Sequence, residues 1–166
     1  EPSGMHEVDV GLARVGASMS TGACPFGRAR AARPDGAAFR PQRTILDRTV
    51  TDGAGRMHNL RIGVTGIVPP QVGDWNRPHL DGRLRFDNIL PAIQAQVAAL
   101  RAEAADIILV LAHSGLGSLI EPGPAENVAQ LLARLHRVDA VVAGHPPNVP
   151  PNPPPPPLPR LPRLLH

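Results

Sequence analysis

The sequence predicts an α/β layered domain, a β-hairpin that continues as strand, helix, strand, helix, strand. Three observations predict it. Two β-rich runs, 44–51 and 60–68, flank the turn cluster Asp52-Gly53-Ala54-Gly55, which is a hairpin signal. Two short apolar runs, 106–112 and 138–143, are of the type that forms buried strands in a parallel sheet. An amphipathic stretch precedes each run, and that alternation implies parallel strands with right-handed crossovers.

Taken in order, residues 1–43 read as an irregular segment, because Gly16, Gly22, Pro25, Gly27, Pro34, Gly36 and Pro41 interrupt any period. Residues 44–145 form the α/β unit. Pro69-Pro70 ends the second hairpin strand, since proline has no ladder donor, and 71–85 is expected to be a long loop. Asp87 is placed to cap a helix over 88–104. Ile89, Ile93, Val97 and Leu100 share one face of it at spacings of four, four and three, and Pro91 is tolerated in the first turn. A second helix is expected over 125–136, with Val128, Leu131, Leu132 and Leu135 inward.

Residues 146–166 are a different kind of sequence, expected to be a disordered proline-rich tail. They hold 11 of the 21 prolines. Residues 152–163 suit polyproline II, and Pro156 to Pro159 has the P-x-x-P spacing read by docking modules. So abrupt a change of composition favours out-of-frame translation of GC-rich DNA over a genuine docking tail. The same coding bias accounts for a chain whose 17 basic residues are all arginine. The formal charge is +3 and aromatics make up 2%, so base stacking and specific nucleic-acid binding are not expected. Arg28, Arg30, Arg33, Arg40 and Arg43 read as a solvated loop. Cys24 is the single cysteine, which excludes an intrachain disulfide and a cysteine-built zinc site. No apolar run is long enough to span a bilayer, and no export leader is visible after Glu1.

Two histidines stand at equivalent places. His113 follows the apolar run Ile107-Ile108-Leu109-Val110-Leu111-Ala112, and His145 follows Val141-Val142-Ala143-Gly144. If both strands are parallel, both imidazoles reach the carboxyl edge of the sheet, where open α/β sheets place their ligands. Neighbouring strands lie about 4.8 Å apart, so two such imidazoles could share one ion at roughly 2.0–2.1 Å each. Gly115 and Gly144, beside them, are expected to let backbone approach closely.

At these residues the sequence resembles a known family. Ile62-Gly63-Val64-Thr65-Gly66 leading to Pro69-Pro70-Gln71, then Trp75, Leu80 and Gly82, resembles the calcineurin-like metallophosphoesterases. The branch is that of the 2',3'-cyclic-nucleotide 2'-phosphodiesterase/3'-nucleotidases, close to the 5'-nucleotidases. Leu111-Ala112-His113-Ser114-Gly115-Leu116 is similar to the family's strand-end histidine motif. Glu126-Asn127 and Ala140-Val141-Val142-Ala143-Gly144-His145 are similar to its next helix and its Gly-His motif, and Gly4-Met5-His6-Glu7 to its Gly-Asn-His-Glu.

The resemblance implies a layered α/β sandwich and hydrolysis of nucleotide phosphoesters by a dinuclear site of divalent ions (manganese, zinc, iron or similar). His113 and His145 would be ligands of one ion. His6 would be the catalytic histidine that stabilises charge on the phosphoryl or leaving-group oxygens, with Glu7 and Asp9 orienting it. The partner implied is a nucleotide, and the compartment periplasmic or secreted. Met5 stands where the family has its Asn ligand, Pro147 occupies the second ligand position of the last motif, and the family's Asp-x-His and Gly-Asp motifs would lie upstream of Glu1. The isolated chain is therefore expected to be an inactive fragment with self-association through exposed sheet edges. Two alternatives belong to other classes. One is a non-enzymatic interaction protein using the Arg-rich head or Pro-rich tail. The other is a hydrolase with Ser114 as nucleophile, which lacks the G-x-S-x-G elbow.

Overall fold

Turn chemistry closes the first supersecondary unit where the sequence places it. The structure, a computed structural model, describes residues 31–32, 34–36, 41–86, 88–119, 126–144 and 163–165. In chain order these form β1 (Ala31–Ala32), β2 (Arg43–Thr51), β3 (Met57–Ile67), α1 (Val72–Trp75), α2 (Arg77–Leu80), β4 (Arg85–Phe86), α3 (Ile89–Ala102), β5 (Ile107–Ala112), α4 (Ala129–Leu132), β6 (Ala140–Ala143) and β7 (Arg163–Leu165).

β2 and β3 form the expected antiparallel hairpin, with Thr51 opposite Met57. Asp52 organises its turn. One carboxylate oxygen accepts the amides of Ala54 and Arg56, each at 2.9 Å. The other lies 2.9 Å from Arg56 Nε and from His58 Nε2. The His58 contact first, then the Arg56 amide, hold the Asp52 carboxyl down from 3.8 to about 2. A carboxylate depressed by folding stabilises the fold above its unfolded value and loses that contribution as pH falls through the folded one. We therefore predict that the turn loses the Asp52 contribution between about pH 3.8 and about pH 2, read as lower protection of the Ala54 and Arg56 amides relative to their intrinsic exchange. In Asp52→Asn that acid dependence should vanish; an unchanged acid profile would refute the assignment.

The main sheet has the order β2-β3-β5-β6-β7, and a separate pair joins β1 to β4. Every pairing after the hairpin in the main sheet is parallel. The strand–helix–strand alternation thus has the expected outcome. Ile67 lies beside Ala112 and Ala112 beside Ala143, so β3, β5 and β6 end at one edge. Arg163–Leu165, within the proline-rich segment, supplies the strand beside β6.

The two faces of this sheet differ. On one, Ile89, Ile93, Val97 and Leu100 of α3 pack with Ile67, Ile108, Val110 and Val141, and with Ala129 and Leu132 of α4, in a single core. α3 approaches β3 closely because Gly63 has no side chain; a Cβ there would lie 3.0 Å from Leu100 Cδ2 and from Ala105 Cβ. On the other face Ile107, Leu109, Leu111, Ala140 and Val142 are half-buried. The strands are thus more deeply buried on one face than the other, since the long described helix covers one face and pleating sends alternate residues to the other.

Polar contacts fix the sheet's amino edge. Arg101 Nη1 donates to the carbonyls of Ala105 and Asp106 at 2.8 and 2.7 Å. Its Nη2 donates to the Arg137 carbonyl and to Asp139 Oδ2 at 2.8 and 2.6 Å. That carboxylate oxygen also accepts the Ile108 amide at 2.7 Å, which ties the start of β5 to the start of β6. Buried Gln96 is satisfied as buried amides must be: it accepts from Arg43 Nη1 and donates to Gln42 Oε1.

Three local expectations need correction. The segment 71–85 is not a plain loop. α1 and α2 form there because Val72 and Leu80 bury with Val68 in a second small core against Leu84 and Phe86, and Pro78 sits in the first turn of α2, where its missing amide costs little. The α3 cap position is Asn88, whose side chain makes no capping bond; Asp87 lies outside the described residues. The helix expected over 125–136 shrinks to the single turn of α4, because 126–128 is drawn into bonds with the loop after β5.

Candidate functional site

The carboxyl edge of the parallel strands is built from backbone outward. His113 follows the last residue of β5, and its amide donates to the Ile67 carbonyl at 3.0 Å. The β3–β5 ladder therefore carries one residue past the strand and sets the backbone of His113 at the edge. From β6, the Gly144 amide donates to the Ala112 carbonyl at 3.2 Å. This register sets Gly144 beside His113. His145 and His6 lie outside the described residues, so of the three histidines singled out the structure places His113 alone, and it is half-buried.

The loop leaving His113 is clamped to the segment entering α4. Ser114 is fully buried. Its hydroxyl donates to the Glu126 carbonyl at 2.8 Å and accepts the Val128 amide at 2.8 Å. The Gly115 amide donates to Asn127 Oδ1 at 2.9 Å. In return the Gly115 and Leu116 carbonyls accept the amides of Ala129 and Gln130 at 3.1 and 3.0 Å. Amides at the start of a helix have no partner within it, and here the loop supplies one. Gly117 completes the clamp at φ +68°, where a Cβ would lie 1.8 Å from the Asn127 carbonyl oxygen.

This geometry removes the serine-nucleophile alternative. A nucleophile must be exposed to substrate and paired with a base, whereas the Ser114 hydroxyl is buried and committed to two backbone groups. The expectation of close backbone approach at Gly144 is corrected. An added Cβ at Gly144 would meet nothing within 4 Å, whereas one at Gly117 would overlap the Asn127 carbonyl. The sequence placed Asn127 only within the Glu126-Asn127 resemblance; its bond to the Gly115 amide reaches across the chain and is not a helix cap.

The neighbouring strand end adds α1 and α2 to the same edge. Arg77 Nη2 lies 2.9 Å from Asp74 Oδ1. The bond to Asp74, then the charges of Asp74 and Asp81, raise the Arg77 pKa. Arg77 is thus a charge already paired on its own turn.

No family model matches the sequence. Similarity to individual proteins is clear. Over 144 residues the chain is 33% identical to the 2',3'-cyclic-nucleotide 2'-phosphodiesterase/3'-nucleotidase of Yersinia enterocolitica, covering 86% of this chain and 22% of that protein. Over 143 residues it is 28% identical to the trifunctional nucleotide phosphoesterase YfkN of Bacillus subtilis, covering 86% of this chain and 10% of YfkN. The crystal structure of calcineurin-like phosphoesterase YfkN from Bacillus subtilis superposes with a TM-score of 0.83 at 28% identity, over 87% of this chain and 43% of that one. This chain is a homologue of the calcineurin-like phosphoesterases. A putative 5'-nucleotidase from Staphylococcus aureus shares the fold at a TM-score of 0.65 and 22% identity, over 87% of this chain and 28% of its own. The chain spans about a fifth of the length of the Yersinia relative.

Within the calcineurin-like phosphoesterase fold, the described residues do not form a metal site by themselves. Among them no three His, Cys, Asp or Glu side chains are placed to hold one ion. His113 offers an imidazole, a good ligand for several divalent ions, but one ligand is fewer than a resident ion takes. Also among the described residues, no helix is long and apolar enough to cross a membrane.

Proposed function

We propose that this chain belongs to a metal-dependent hydrolase of nucleotide phosphoesters, acting on 2',3'-cyclic nucleotides and on 3'- or 5'-nucleotides. The observation that carries the proposal is the position of His113. It stands at the carboxyl edge of three parallel strands, in a fold shared with YfkN at a TM-score of 0.83 and 28% identity. His113 and His145 are proposed as ligands of one divalent ion and His6 as the group that stabilises charge on the phosphoryl oxygens. The remaining ligands would come from outside this set. A periplasmic or secreted compartment goes with the same reading.

The 166-residue chain by itself is proposed to be inactive or nearly so, because Met5 and Pro147 stand at two positions where the family resemblance calls for ligands. A thioether suits hard divalent ions poorly. Turnover of 2',3'-cyclic AMP or 3'-AMP with added manganese tests this. Background-level hydrolysis is the expected result. Robust hydrolysis abolished by His113→Ala would overturn the inactivity and confirm the ligand.

Self-association is proposed through the hairpin edge. Among the described residues β2 is the outermost strand of the main sheet, its residues 47–51 are exposed, and Val50 and Met57 present apolar surface there. An open strand edge is a template for another chain.

A further inference from the structure

We infer that Asn127 is a positioning residue for His113, acting through the loop that leaves β5. The inference rests on the proposed role of His113 and adds to it the group that holds His113 in place.

Among the described residues two features support the backbone at His113. On one side its amide continues the ladder to Ile67. On the other, the chain turns at once into the Ser114–Gly117 loop, and a turn in that direction needs anchors for every polar group it buries. Among the described residues Asn127 supplies one anchor for that loop from a side chain of another segment. Its Oδ1 accepts the Gly115 amide at 2.9 Å, two residues from His113. Ser114 contributes from the loop itself, through the Glu126 carbonyl and the Val128 amide. The Gly117 backbone lies so close to the Asn127 carbonyl that no side chain fits between them. Five bonds and one tight contact therefore join 114–117 to 126–130 as one unit.

The Asn127 bond, like the two made by the Ser114 hydroxyl, depends on a side chain. The Ala129–Gly115 and Gln130–Leu116 bonds join backbone to backbone and survive any substitution that keeps the fold. The Gly115 amide depends on a single side-chain oxygen. Without it the amide is left unpaired in a part-buried place, which costs about 1–3 kcal/mol. The loop relieves that cost by swinging toward water and carrying His113 with it.

The test reads position and mobility, so its failure is distinct from failure of the hydrolysis assay. In the 166-residue wild-type chain, the amides of Gly115, Val128, Ala129 and Gln130 should exchange with solvent as one protected set. In Asn127→Ala the Gly115 amide should exchange at least about 10-fold faster, matching the loss of one such bond. The His113 ring resonances, assigned with His113→Ala, should shift or broaden while the β3–β5 amides stay protected. Asn127→Asp keeps an acceptor oxygen and should restore both signals. Loss of stability with the His113 ring unchanged would mean a merely structural Asn127 and would overturn the inference. Were Asn127→Ala to unfold, the wild-type measurement still decides: an unprotected Gly115 amide would overturn it as well.

Discussion

Gly117→Ala should destabilise the chain by about 3–5 kcal/mol, in the range reserved for a named structural fault. Two costs add. At φ +68° an alanine Cβ meets the neighbouring carbonyl, which costs roughly 1–2 kcal/mol. The larger cost is steric: the new carbon would lie 1.8 Å from the Asn127 carbonyl oxygen and 2.5 Å from its carbon. Both are backbone atoms, so no rotamer change relieves the overlap. Either the loop moves away from 126–130, which breaks the Asn127–Gly115 and Gln130–Leu116 bonds, or α4 moves and uncovers Ala129 and Leu132 in the core. Urea unfolding checks this as a lowered midpoint at unchanged slope. Gly144→Ala, at a position with nothing within 4 Å, is the control and should stay within about 0.5 kcal/mol of wild type. Equal midpoints for the two variants would refute the tight contact.

Much of this fold was legible because its signals are local. Asp52-Gly53-Ala54-Gly55 specifies the hairpin turn through side-chain chemistry within five residues. The α3 stripe of Ile89, Ile93, Val97 and Leu100 is buried as its spacing requires. Alternation of apolar runs with that helix sufficed for the parallel order of β3, β5 and β6. The misread parts depend on partners distant in sequence. Residues 125–136 have helical periodicity, but the loop after β5 competes for the amides of Val128, Ala129 and Gln130, and the winning partners lie about a dozen residues upstream. The half-buried second face of β5 shows the same limit: Ile107, Leu109 and Leu111 are as apolar as Ile108, Val110 and Ala112, so composition alone does not distinguish the faces.

The candidate site was legible in position more than in construction. Strand ends and parallel order bring His113 to the carboxyl edge, and both follow from pattern. Nothing in pattern says that Ser114 turns inward, or that its hydroxyl replaces a backbone partner for Val128. A serine beside a histidine and a glycine invites a nucleophilic reading; burial of its side chain excludes it. Gly117 and Gly144 are likewise the same letter. One is required by a contact that only the folded backbone creates, and the other is not.

Leu100→Ala should cost about 3–5 kcal/mol, near the top of the range for a buried leucine. Leu100 is completely buried and lies over Gly63 of β3, close enough that a Cβ on Gly63 would sit 3.0 Å from Leu100 Cδ2 and 3.1 Å from Cδ1. A truncated leucine usually recovers part of its cost when neighbours relax into the void. Here the surface beneath it is bare backbone held in two ladders, to β2 and to β5, and it cannot follow. The same geometry predicts how the loss can be reduced. Gly63→Ala alone should destabilise by about 1–3 kcal/mol, as overpacking does, because its methyl group presses on Leu100 and on Ala105 Cβ at 3.0 Å. Combined with Leu100→Ala, that methyl enters space already vacated. The double variant should therefore be more stable than the sum of the two losses predicts, by about 1 kcal/mol or more. Strict additivity in urea midpoints would show that α3 does not rest on Gly63. With non-additivity established, the position of α3 against β3, and through β5 the position of His113, depends on a glycine that has no chemistry of its own.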